Sequence, residues 1–113
     1  MKKFLAAFLA VLTCLFLVAC APGNIEKAQE KMENADYNVI VTGEDETEVL
    51  YGEKAVGMII ASKGGVLNRE TLTAILFEDA ASAKEFAKKN EERQANGKWV
   101  LWGDESAIED FTK

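Results

Sequence analysis

"KAVGMIIASKGGVLNRETLTAILFE" (residues 54–78) contains two apolar runs separated by a break, and its reading decides the fold. The first run, 54–63, is rich in Val, Ile and Met, and it stops at Gly64-Gly65. Both features mark a β-strand followed by a turn. In the second run, Thr71, Thr73, Ile75 and Phe77 alternate with Leu72, Ala74 and Leu76, which favours a strand over 70–78 rather than a helix. Both strands are apolar on their two faces: Gly57, Ile59 and Ala61 oppose Val56, Met58 and Ile60, and Ile75 and Phe77 oppose Leu72, Ala74 and Leu76. A sheet with one solvated face alternates apolar and polar residues cleanly. Two arrangements therefore stay open. Either helices divide between the two faces, or they share one and the other meets a partner, such as a second copy.

Upstream, Asn24 is a good helix N-cap and Ile25, Ala28, Met32 and Ala35 fall on one helical stripe, so a helix is expected over 24–34. "YNVIVT" (37–42) reads as a strand, "GEDETE" (43–48) as a charged turn, and "VLYG" (49–52) as a short strand or the lead into the next. Downstream, Asp79 caps a helix running to about Arg93, Asn96-Gly97 closes that segment, "KWVLW" (98–102) is the last strand, and Asp104 caps a terminal helix. The expected order is α-β-β-β-α-β-α, an α+β domain over 24–113 with a small, mainly antiparallel sheet and packed helices. The stretch 70–102 reads as a β-α-β crossover with parallel strands. In that part the arrangement resembles half of a ferredoxin-like fold, an analogy that assigns no function.

The first residues carry a different message. Lys2 and Lys3 form a positive head, and "FLAAFLAVLTCLFLVA" (4–19) follows as a 16-residue apolar run. That is shorter than the ~20 residues a membrane-spanning helix needs, and its form is that of a secretion signal. The run ends in Leu17-Val18-Ala19-Cys20, which resembles the bacterial lipobox. The resemblance implies a signal peptide over 1–19, cleavage between Ala19 and Cys20 by signal peptidase II, and a diacylglyceryl group on Cys20 Sγ. In many species the Cys20 amine is acylated as well. Two acyl chains hold a protein stably to a bilayer where one holds it only marginally. The implied address is the extracytoplasmic face of a bacterial cell membrane. Residue 21 is Ala rather than the Asp that retains many Gram-negative lipoproteins at the inner membrane, which leaves the outer membrane open for a Gram-negative source.

Processing of that kind would discard Cys14 and consume Cys20, leaving neither a thiol nor a disulfide in the mature chain. It would also remove Lys2 and Lys3 and no acid, leaving 11 basic against 19 acidic residues, a formal charge of −8. Such a surface repels phosphate backbones, so nucleic acid is not an expected partner. Residues 20–23 form the lipidated cysteine and a short tether, and the four residues of "APGN" (21–24) span at most about 14 Å. The domain is thus expected close to the membrane.

Reactive side chains are few. The chain has no histidine, which removes the commonest general base and metal ligand. Ser62, Ser82 and Ser106 lack a nucleophile elbow, and no carboxylate pair is singled out. The chain is therefore expected to be a binding or interaction domain rather than an enzyme, with no cofactor. The alternative is a small ligand- or metal-binding accessory lipoprotein. For that reading, Glu44, Asp45, Glu46 and Glu48 are the candidate Ca²⁺ ligands, although they lack the spacing of an EF-hand loop. Trp99 and Trp102 are the candidate stacking residues, although three apart in a strand they point to opposite faces. "SKGGVLNRE" (62–70) lacks the spacing of a phosphate-binding loop and reads as a strand connector.

Overall fold

The computed structural model describes residues 21–113 except Glu53 and Val66. Helix α1 (Ile25–Asn34) starts where Asn24 Oδ1 accepts a hydrogen bond from the Lys27 amide at 2.8 Å, and it buries Ala28 and Met32. It leads into β1 (Asn38–Thr42), α2 (Glu44–Tyr51), β2 (Ala55–Lys63) and β3 (Glu70–Phe77). Helix α3 (Ala80–Lys88), strands β4 (Gln94–Asn96) and β5 (Trp99–Gly103), and helix α4 (Glu105–Thr112) complete the described chain. The strands form one antiparallel sheet in the order β1-β2-β3-β5-β4. The α+β class with an antiparallel sheet and packed helices is the one expected from the sequence.

Three expectations about the path of the chain are corrected. Residues 44–51, expected as a charged turn and a short strand, form α2. Glu44, Asp45 and Glu46 occupy its first turn, where negative charge complements the positive end of the helix dipole. Thr47 is fully buried, and its hydroxyl donates to the carbonyl of Gly43 at 2.6 Å, knitting the turn together.

The second correction concerns the crossover. Strand β5 pairs antiparallel with β3, through Leu76↔Trp99 to Leu72↔Gly103. The chain leaving α3 first forms the three-residue β4, reverses at Asn96-Gly97-Lys98, and returns as β5 between β4 and β3. Because β4 and β3 are both antiparallel to β5, β4 is the strand that runs parallel to β3. The ferredoxin-like reading of this half rested on a parallel pair formed by 98–102, and that pair is absent among the described residues. Helix α3 also stops at Lys88, earlier than expected, and Asn90 to Arg93 form a turn.

Helices lie on both faces of the sheet. On the first, α1 and α4 cover Ile59, Ala61, Leu72, Ala74, Trp99 and Leu101. On the second, α3 packs with Ala83, Phe86 and Ala87 over Ala55, Met58, Ile75, Phe77 and Val100, and Tyr51 of α2 meets Phe86 edge-on at 5.7 Å. This is the first of the two arrangements left open by the apolar strands. Coverage of the second face is incomplete, and Ile40 and Ile60, paired across β1 and β2, stay 65% and 37% exposed.

Candidate functional site

The end of the sheet from which the N-terminal segment emerges is built from β3, β5 and the β4–β5 turn. Leu76 and Trp99 are cross-strand partners there, and the Phe77 amide donates to the Lys98 carbonyl at 2.8 Å. Trp99 is buried against Phe111 of α4, ring centroids 5.0 Å apart and edge to face. A buried indole needs a partner for its N–H. Trp99 finds it in the chain segment before α1: its Nε1 donates to the carbonyl of Pro22 at 2.7 Å. Pro22 is itself buried, and Ala21, Pro22 and Gly23 close one wall of a cleft completed by Leu76 and the 96–98 turn. The segment following Cys20 is therefore packed onto the sheet, and Ala21 alone lies between Cys20 and the pinned Pro22.

The opposite end of the sheet, where Lys63 pairs with Glu70, holds a polar cluster that sequence reading did not single out. The buried Tyr37 hydroxyl donates to Asp110 Oδ2 at 2.9 Å, with Glu70 Oε2 at 3.2 Å. Lys63 Nζ lies 3.8 Å from the same Asp110 oxygen and 4.5 Å from the Tyr37 ring centre, and Lys113 Nζ lies 3.3 Å from Asp110 Oδ1. Burial first, and then the Asp110 hydrogen bond and charge, push the Tyr37 phenol well above its usual range. The Tyr37 hydrogen bond in turn is the main influence holding Asp110 below the usual carboxylate range. A phenol held protonated between two carboxylates serves as a hydrogen-bond donor, tying α4 to β1 and β3.

The sequence-derived candidates are dispersed. Leu17, Val18, Ala19 and Cys20 lie outside the described residues. Glu44, Asp45, Glu46 and Glu48 are spread along the exposed surface of α2 instead of converging from a turn, and no metal-holding group of three or more acids, Cys or His occurs among the described residues. Trp99 is not a stacking platform, because its ring is core and its N–H holds the tether. Trp102 faces the other side of the sheet, half-buried, with the Arg93 guanidinium 5.3 Å from its ring centre. Besides the Tyr37 cluster, sequence reading missed Pro22; the demand of a buried indole for an acceptor was the available signal.

No protein-family model, no curated protein and no solved structure matches this chain.

Proposed function

We propose that this chain is a bacterial lipoprotein whose Cys20 carries the membrane anchor, and whose domain works by binding at the membrane surface rather than by catalysis. The observation that carries the reading is the junction of two features. A lipobox-like Leu17-Val18-Ala19-Cys20 ends one residue short of a segment fastened to the sheet through the 2.7 Å Trp99–Pro22 hydrogen bond. Cys20 then lies two residues from Pro22, so their Cα atoms are at most about 7.6 Å apart. An anchor at that position holds the β3–β5 end of the sheet next to the lipid and limits partners to those within reach of the membrane.

The binding role is supported by the incompletely covered second sheet face and the exposed apolar side chains along β1. The test is radiolabelled palmitate incorporation and membrane fractionation of the full chain. Wild type should lose residues 1–19, gain lipid label and sediment with membranes. Globomycin should block the cleavage, and Cys20→Ser should take up no label and leave the membrane fraction once processed. Normal maturation and membrane retention of Cys20→Ser would refute the proposal.

A further inference from the structure

The two edges of the sheet are built differently. Strand β4 is three residues long and packs beside α3, two features that protect an edge from unwanted pairing. Strand β1, Asn-Val-Ile-Val-Thr, has α1 packed on its first face but is longer, and it contains no charge, proline or bulge. It pairs with β2 on one side and with no strand on the other among the described residues. Backbone N–H and C=O groups of alternate residues in such a strand point outward and are competent to accept one more strand.

Apart from Leu67 in the β2–β3 loop, the exposed large apolar side chains among the described residues lie on β1, on its partner β2 or on the helix that follows β1. Ile40 and Val41 belong to β1, Ile60 is the cross-strand partner of Ile40, and Val49 and Leu50 lie on α2, which follows β1 directly. On the second face, Ile40, Ile60, Thr73 and Trp102 form one continuous cross-strand row that runs out to the edge. A further strand paired to β1 would extend that row and cover Ile40.

The surrounding charge selects the occupant. Exposed Glu33 and Asp36 stand before β1, and exposed Glu44, Asp45, Glu46 and Glu48 follow it. A second copy fits poorly: antiparallel pairing centred on Ile40 puts Asp36 opposite Glu44 of the other molecule, in a chain whose processed form would carry a charge of −8. We propose that the β1 edge binds, by strand addition, an extended β-branched segment of another protein flanked by Lys or Arg. This gives a partner class to the binding role proposed above, and it is independent of the lipid anchor, which the Cys20→Ser experiment tests separately.

The test uses the full chain in neutral detergent and a blocked seven-residue peptide of alternating Thr and Val with Lys at both ends. Binding is read by fluorescence anisotropy, and its location by deuterium exchange. The Lys-ended peptide should slow exchange of amides 38–42 and bind more weakly as salt rises. A Glu-ended version and an N-methylated version should each bind about tenfold more weakly or worse. Ile40→Lys, at an exposed position, should weaken binding of the Lys-ended peptide by a similar factor with an unchanged circular dichroism spectrum. Leu67→Lys, also exposed but away from the edge, should leave it unchanged. The proposal is overturned by absence of protection at 38–42 with millimolar peptide, or by equal binding of the Lys- and Glu-ended peptides. It is equally overturned if the chain alone is dimeric with 38–42 already protected, which would make a second copy the occupant.

Discussion

Trp99→Phe is the substitution that isolates the fastening of the tether. Phenylalanine keeps an aromatic ring against Phe111 but removes the indole N–H that donates to the buried Pro22 carbonyl at 2.7 Å. A buried acceptor left without its donor costs about 1–3 kcal/mol. The missing half of the indole leaves a small void worth roughly 1 kcal/mol more. The expected destabilisation is therefore about 2–4 kcal/mol, which for a domain of this size lowers the unfolding midpoint by roughly 10–25 °C. The assay is urea and thermal unfolding of a chain beginning at Ala21, with deuterium exchange read on amides 23–25 under native conditions. Those amides should exchange much faster in Trp99→Phe, because the segment loses its long-range hydrogen bond. Trp102→Phe is the matched control: Trp102 is half-buried on the other face, so it should cost less than about 1 kcal/mol and leave exchange at 23–25 unchanged. A Trp99→Phe protein that unfolds within a few degrees of wild type with unaltered exchange at 23–25 would refute the idea that Trp99 fixes the tether.

Further outcomes follow from the shifted carboxylates and phenol and from two glycines of positive φ. Asp110 and Asp79 are held below the usual carboxylate range, by the Tyr37 hydrogen bond and by the Ser82 amide respectively, so the stability they contribute is present above about pH 4 and is lost as pH falls below it. Tyr37 is raised, so its contribution is present below about pH 10 and is lost as pH climbs above that, and urea midpoints across pH should show an alkaline decline that Tyr37→Phe removes. Gly103 has φ +139° and a Cβ there would run into the Thr71 carbonyl, so Gly103→Ala should cost about 2 kcal/mol or more by urea unfolding. Gly97, at φ +60° with open space around it, should lose only about 1 kcal/mol on the same change.

The long strands were legible because their side chains obey period two in both directions at once. Leu72, Ala74 and Leu76 face one core and Ile75 and Phe77 the other, as the alternation in 70–78 requires. The caps at Asn24 and Asp79 were legible because a side-chain oxygen bonding an amide three residues on is a local event, at 2.8 and 2.7 Å here. Helix α2 was not legible, because its apolar residues are on the wrong side. Val49 and Leu50 are exposed, while the inward positions are Thr47 and Tyr51. A Val-Leu-Tyr run next to four acids carries no helical stripe, and Gly43 caps α2 without a side-chain bond. Strand β4 had still less signal: Gln-Ala-Asn has no β-branched residue, and it is a strand only because β5 lies beside it. Missing β4 is what turned an antiparallel hairpin into an expected parallel crossover.

The tether shows the same limit where it bears on function. Read as sequence, "APGN" (21–24) is a four-residue spacer with a reach of about 14 Å. Its behaviour is decided by Trp99, 77 residues further on, and no local pattern connects the two. The contact changes the mechanical problem as well as the distance. A free spacer lets a domain rotate and present any face to the bilayer, whereas with Pro22 pinned the anchor proposed at Cys20 would have only Ala21 as a hinge and would stay tied to the β3–β5 end. Strand β1 lies three places from β5 in the sheet order, about 14 Å across at the usual strand spacing. It runs from Asn38 at the polar-cluster end to Thr42 nearer the tether end. Under the anchoring proposed for Cys20, its free edge would therefore point sideways from that end rather than into the lipid. A strand added there would come from a neighbour standing beside this domain on the same membrane face, with its cationic ends meeting Asp36 on one side and the acids of α2 on the other.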